Sequence, residues 1–212
     1  MTLVGKKFPD LNVDAMNEMG DTFKVNVFEE AKNNNKKVLL FWYPKDFTFV
    51  CPTELHAFQG ALAEFEKRNT IVIGASCDTP EVHFAWLNTP KDNGGIEGVT
   101  YPILADSNRN LSSILGILDI TNETYDEATG TVQVEGDNVT YRATYVIDED
   151  GVVQHESINN MPIGRNVNEY LRIVDALTHV QEKGEVCPAN WEEGKEAMQA
   201  NAKGTAEYLA SH

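Results

Sequence analysis

Apolar residues recur along this chain in three rhythms, and each rhythm predicts a kind of element. Lys36–Tyr43 (KKVLLFWY) and Thr70–Ser76 (TIVIGAS) are continuous apolar runs of strand length, suited to central strands covered on both faces. Between them Leu55, Phe58, Leu62 and Phe65 return at helical spacing, so a helix from Cys51 to about Arg68 has one apolar face to dock. Asp78, Thr79 and Pro80 offer a cap and a first turn for a helix over Glu81–Leu87. Strand, helix, strand and helix in succession predict an α/β fold with parallel strands.

The second half follows the alternating rhythm. In Val139–Ile147, residues Val139, Tyr141, Ala143, Tyr145 and Ile147 share one strand face and leave Arg142 on the other. Asp150-Gly151 is a hairpin turn into Val152–Ile158. The first 35 residues read as a polar lead-in with an extended piece at Thr22–Val27 and a short helix near Val27–Lys32. Asn93–Gly98 (NGGIEG) reads as a loop and Tyr101–Ala105 as a short strand. Asp106 or Ser107 can cap a helix running to about Leu115. Leu118–Asn138 is polar, with turns at Thr129-Gly130 and Gly136-Asp137 and one hairpin arm at Val132–Glu135. It suits a surface loop or a contact with a neighbouring subunit. Asn166 opens a last core helix on which Val167, Tyr170, Leu171, Val174 and Leu177 share a face. The expected organisation is a core over residues 1–165, then that helix and a C-terminal tail over 166–212, together one structural domain.

Composition narrows the function. A chain of 212 residues that is 42% hydrophobic and 24% charged can bury a substantial core. Seventeen basic residues against 33 acidic ones give a net charge of −16, which argues against nucleic acid or an anionic membrane as a partner. No run is long enough to span a membrane, and the N-terminal lysines are not followed by an apolar signal-like stretch, so the expected location is the cytoplasm. Three cysteines, Cys51, Cys77 and Cys187, are too few for a disulfide framework and match no metal-ligand spacing. An odd, sparse set of this kind suggests redox chemistry.

Cys51 is the strongest candidate. Pro52 suits the first helical position, which would make Cys51 the N-cap and put Glu54 at N3, near the positive end of the helix dipole. A thiol at a helix N-terminus ionises more easily, and the thiolate is the reactive form. Position alone fits a small buried hydrophobe equally well. The neighbours tip the balance: Pro44, Thr48 and Cys51 form Pro-x-x-x-Thr-x-x-Cys, which resembles the active-site motif of the peroxiredoxins. The longer run Phe41–Phe58 (FWYPKDFTFVCPTELHAF) is similar to the typical 2-Cys members of the alkyl hydroperoxide reductase C-subunit type.

That resemblance covers nearly the whole chain and implies a thioredoxin-like fold, a central mixed sheet flanked by helices, with a C-terminal extension. It implies that Cys51 attacks peroxide, that Thr48 and backbone N–H groups orient the O–O bond, and that Pro44 shields the thiolate. Arg142, in VTYRATYVID, is similar to the family's thiolate-holding arginine; Glu54 would position it, and Arg165 resembles a second arginine near the site. Cys187, in GEVCPANW, resembles the resolving cysteine that traps the Cys51 sulfenic acid across a homodimer. The resemblance further implies assembly of dimers into a decamer, hydrogen peroxide and organic hydroperoxides as substrates, and re-reduction by a flavoprotein disulfide reductase or a thioredoxin system. It calls for no metal and no organic prosthetic group. Cys77 matches no family role and reads as packing. Gly94-Gly95-Ile96-Glu97 and Tyr208-Leu209 depart from the Gly-Gly-Leu-Gly and Tyr-Phe of oxidation-sensitive members, which predicts intermediate sensitivity to excess peroxide.

Two other classes compete. One is a chaperone-like or redox-signalling holdase, which would not need Cys51. The other is a general disulfide oxidoreductase, but a Cys-x-x-Cys pair would need cysteine where the chain has Glu54.

Overall fold

The two continuous apolar runs become the middle of a mixed sheet. The computed structural model describes residues 2–212. Its strands are β1 (Asn12–Met16), β2 (Thr22–Asn26), β3 (Lys37–Trp42), β4 (Thr70–Ser76), β5 (Ile103–Ala105), β6 (Asn122–Asp126), β7 (Thr131–Glu135), β8 (Arg142–Ile147) and β9 (Val153–Asn159). Its α-helices are α1 (Val27–Asn34), α2 (Cys51–Gly60), α3 (Leu62–Lys67), α4 (Pro80–Leu87), α5 (Asn110–Leu115), α6 (Val167–Lys183) and α7 (Ala202–Ser211). Contacts group these elements into two units, residues 1–165 and 166–212.

In the first unit seven strands lie in the order β2-β1-β5-β4-β3-β8-β9. The β3–β4 and β4–β5 pairs are parallel, and β1, β8 and β9 join antiparallel. Every residue of β3 is buried, as a two-sided apolar run requires. Val38, Leu40 and Trp42 point into one core with Ile73, Leu104, Tyr145 and Ile147. On the other side of β3, Phe41 stacks on Phe58 of α2 at 4.0 Å between ring centroids. Such a pair adds about 1 kcal/mol beyond its buried area and ties α2 to the sheet.

Three expectations needed revision. The helix predicted over Cys51–Arg68 is broken: Gly60 ends α2 and Ala61 adopts φ −97°, ψ 0°, before α3 resumes. Glycine is a poor helix interior residue, yet the apolar face survives, with Leu55, Phe58 and Phe65 buried. Cys51 is not the N-cap; that position is Val50, and Cys51 is the first helical residue. The strand predicted from Val139 starts at Arg142, because Val139 and Tyr141 bond instead to Asp119 and Ile117. All six residues of β8 are buried, so its polar face is covered too.

In the Leu118–Asn138 stretch Val132–Glu135 is a hairpin arm as expected, within β7, and its partner is β6, paired from Asn122↔Glu135 to Asp126↔Thr131. One side carries Tyr125, Val132 and Val134, all exposed. The N-cap of α5 is Arg109, not Asp106 or Ser107, but Asp106 still serves the helix: its carboxylate accepts from the Leu111 and Ser112 amides at 3.1 and 2.8 Å. The loop at Gly94-Gly95 packs tightly, since a Cβ at Gly95 would meet the Thr89 carbonyl oxygen at 1.9 Å.

In the second unit Asn166 caps α6, and Gly184 ends it at φ 66°. Val186 and Met198 exchange two backbone hydrogen bonds, which hold the segment containing Cys187 in a short loop.

Candidate active site

The first turn of α2 and the Pro44–Val50 loop that feeds it bring the sequence-predicted residues of the first unit together. Cys51 Sγ is fully buried. The Thr48 hydroxyl donates to it at 2.9 Å, and Arg142 Nη1 donates at 3.4 Å. The Thr48 hydroxyl also lies 2.8 Å from the Lys45 carbonyl, so its single proton can turn from backbone to sulfur as the sulfur becomes an acceptor. Pro44, buried beside them, contributes no N–H that could compete.

Arg142 is only 3% exposed, far from the solvated strand arginine that periodicity alone would allow. Burying a guanidinium requires paired acceptors. Arg142 finds them in Glu54 Oε2 at 2.6 Å through Nη1 and in the Met161 carbonyl at 2.6 Å through Nε. Glu54 accepts as well from Arg165, at Oε1 from its backbone N–H and Nε (both 2.9 Å) and at Oε2 from Nη2 (2.8 Å). Arg165 in turn donates through Nη1 to the Ala143 carbonyl and the Thr144 hydroxyl, and lies over the Phe41 and Phe58 rings. Glu54 is therefore more than a first-turn acid near a helix dipole. It clamps two arginines, and the geometry fixes one of them against the sulfur.

A cleft of about 250 Å³ opens beside this cluster, lined by Pro44, Lys45, Thr48, Asp137, Val139 and Met161. Asp137 and Val139 lie on the return from the β6–β7 hairpin, where the backbone is pinned by Asp119 and by Arg109 Nε on the Asn138 carbonyl. Sequence reasoning missed Met161, Asp137 and Val139 as parts of the site. The Met161 contribution to Arg142 is a backbone carbonyl, which leaves no trace in residue type.

Cys77 and Cys187 sit in different surroundings. Burial pushes the Cys77 thiol up to about 11, against the help of the Ser112 hydroxyl 3.6 Å away, as suits an unreactive packing residue. Cys187 lies in the second unit, with its thiol donating to the Ala176 carbonyl at 3.7 Å. Partial burial raises its pKa; Arg172 opposes the shift and Glu185 adds to it. Among the described residues no group of three His, Cys, Asp or Glu side chains could hold a metal ion.

The cluster sets one buried thiol against a hydroxyl donor and a guanidinium donor, an arrangement suited to thiol chemistry. Residues 4–156 match the AhpC/TSA family, and residues 176–211 match the C-terminal domain of 1-Cys peroxiredoxin. The chain is 42% identical to the alkyl hydroperoxide reductase C of Helicobacter pylori, over 98% of this chain and 96% of that one. It is 40% identical to peroxiredoxin-2 of Bos taurus, over 99% and 96%. The crystal structure of reduced Plasmodium vivax 2-Cys peroxiredoxin superposes with a TM-score of 0.87 at 38% identity, covering 99% of this chain and 100% of that one. The chain belongs to the AhpC/TSA family of peroxiredoxins, and with it to the thioredoxin-like fold and to the thiol-dependent peroxidases.

The site geometry makes Thr48 testable by itself. Thr48→Val removes the hydroxyl donor while keeping the shape, and should slow peroxide consumption by about 10²-fold, the usual loss for one donor aimed at a reacting centre. Thr48→Ser should keep most of the rate. Stopped-flow measurement of the second-order rate constant checks both.

Proposed function

We propose that Cys51 is the peroxidatic residue and Cys187 the resolving one, in a homodimer that assembles further into a decamer. The observation that carries the first half is the double donation to Cys51 Sγ, from Thr48 at 2.9 Å and Arg142 at 3.4 Å. In the first step the Cys51 thiolate attacks one peroxide oxygen, an S–O bond forms and the O–O bond breaks. The departing oxygen takes a proton and leaves as water or an alcohol. Thr48 and Arg142 hold the peroxide in line and meet the charge on that oxygen. The cleft beside them takes the organic part of a hydroperoxide against Pro44, Val139 and Met161.

In the second step Cys187 of the partner subunit, as its thiolate, attacks the sulfur of the Cys51 sulfenic acid. The S–S bond forms and water leaves. A protein dithiol, from a flavoprotein reductase or a thioredoxin system, then supplies two electrons and two protons. The full-length similarity to proteins named 2-Cys peroxiredoxins supports this pairing over the 1-Cys cycle that the C-terminal match by itself would suggest. Among the described residues no helix is long and apolar enough to cross a membrane, and we read the enzyme as cytoplasmic.

Cys187→Ser tests the resolving role: Cys51 should still oxidise at the normal rate, and no covalent dimer should follow. A covalent dimer in that variant would refute the assignment. The raised pKa of Cys187 adds a sign. Only its thiolate attacks, so disulfide formation should accelerate about tenfold per pH unit between pH 6 and 8. A rate that is flat over that interval would mean that a step other than thiol attack controls resolution.

A further inference from the structure

The loop that carries Pro44 and Thr48 is itself held by a buried polar cluster that takes no part in the chemistry above. Asp46, 3% exposed, lies in the middle of that loop. Its Oδ1 accepts from the Tyr43 hydroxyl at 2.7 Å, and its Oδ2 lies 2.7 Å from Nδ1 of the fully buried His83 on α4. His83 Nε2 is 3.1 Å from the Leu104 carbonyl on β5. The backbone N–H of Asp46 donates to Asp78 Oδ2 at 2.9 Å, and the Ser76 hydroxyl donates to the same oxygen at 2.8 Å. Asp46 is therefore tied to the end of β3, to α4 and to the end of β4.

The hydrogen-bond arithmetic constrains the cluster. A carbonyl can only accept, so His83 Nε2 must carry a proton. A bare Nδ1 facing an ionised carboxylate at 2.7 Å would set lone pair against lone pair. The Tyr43 hydroxyl also lies 3.4 Å from Nδ1, but its one proton is committed to Asp46 Oδ1 at 2.7 Å, so one further proton must lie between Nδ1 and Asp46. The cluster thus holds one proton more than a carboxylate and a neutral imidazole would hold apart. Burial raises the pKa of Asp46 and holds the Tyr43 hydroxyl well above its ordinary range, so Tyr43 stays a donor.

The next residue shows what the cluster works against. Phe47 has φ 54°, in the left-handed region that a bulky side chain rarely adopts, and its ring packs on Trp86 of α4 at 5.8 Å between centroids. Such a conformation persists only where the surroundings over-determine it, and it lies between Asp46 and the catalytic Thr48.

We propose that His83 and Asp46 are positioning residues: a proton-bridged latch that holds the strained Pro44–Val50 loop so that Thr48 meets Cys51. The latch rests on Cys51 being the reacting thiol. Its loss should be read in the rate of sulfenic acid formation, because a misplaced donor fails to orient the peroxide even when the fold persists.

The design of the latch makes one substitution tolerable and its neighbour not. In Asp46→Asn, the amide oxygen can accept from Tyr43 and the amide nitrogen can donate to a bare Nδ1, while Nε2–H still reaches Leu104. Each of these bonds survives without the bridging proton, and the change adds only the second N–H of the amide. Asp46→Asn should therefore react with hydrogen peroxide within about threefold of the unmodified protein, whereas Asp46→Ala and His83→Phe should be about 10- to 100-fold slower. The comparison is made by stopped flow at a temperature at which circular dichroism shows all of them folded. Asp46→Ala and His83→Phe reacting as fast as the unmodified protein would overturn the latch, and so would Asp46→Asn falling as far as Asp46→Ala. If a variant does not fold, NMR of the unmodified protein decides. Two exchange-protected protons on the His83 ring-nitrogen bonds support the bridge, and a single one overturns it. A Cys51 that reacts no faster than free cysteine in the unmodified protein would overturn the peroxidatic assignment itself, a result separable from any difference among the variants.

Discussion

Cys51→Ser should reduce peroxide turnover by at least about 10³-fold, to the level of the protein-free blank. The size follows from the chemistry, since a serine hydroxyl cannot be oxidised to the sulfenic acid that stores the peroxide oxygen. The substitution removes one polarisable atom from a fully buried position and leaves the Thr48 and Arg142 donors with an oxygen to face. The fold should therefore persist, and a holdase activity would persist with it. Suppression of aggregation of an unfolded client, measured beside peroxide consumption, separates the two. Residual peroxide consumption above about a tenth of normal would place the nucleophile elsewhere, and Cys77, with its thiol pushed up to about 11, is a poor substitute.

Arg142→Met should slow Cys51 oxidation by about 10²- to 10³-fold, the range for losing a charged donor at a developing oxyanion. The loss should appear in rate rather than in folding. Glu54 still receives three hydrogen bonds from Arg165, so its buried carboxylate is not orphaned. Arg142→Lys should recover little. The guanidinium reaches Met161, Glu54 and Cys51 from two nitrogens, and a single ammonium cannot span those directions. A second-order rate constant within threefold of normal in Arg142→Met would show that Thr48 and the backbone suffice.

These two residues also mark the limit of what the sequence discloses. Pro44, Thr48 and Cys51 are legible because one loop and one helix start carry all three, so their spacing in the chain is their spacing in the fold. Arg142 is 91 residues from Cys51, and Arg165 is 111 residues from Glu54. No local pattern joins them, and only the resemblance to a family pointed there. Even then, strand periodicity suggested a half-exposed β8, because period 2 reports which residues share a face and not whether the second face is covered. The sheet centre was clear from its unbroken apolar runs. The hairpin arm β6 (NETYD) was not, since four of its five residues are exposed and its pairing with β7 leaves no burial pattern to read. Asp46 and His83 were passed over for a similar reason. An acid in a loop and a lone histidine in an apolar helix each look ordinary until they are found 2.7 Å apart in the interior.

The buried position of Cys51 bears on the second half of the cycle. A disulfide needs its sulfurs about 2 Å apart, so in the proposed cycle Cys51 must leave its buried position before Cys187 of the partner subunit can bond to it. The Pro44–Val50 loop must therefore be held firmly for attack and yield afterwards.

The most direct test of the account is to add one equivalent of hydrogen peroxide to the fully reduced protein and to measure intact masses without reductant. The account predicts rapid conversion to a covalent dimer, with peptide mapping to a Cys51–Cys187 link. Oxidation of Cys51 with no such dimer would contradict the resolving role of Cys187, and a Cys51 no more reactive than free cysteine would contradict the whole.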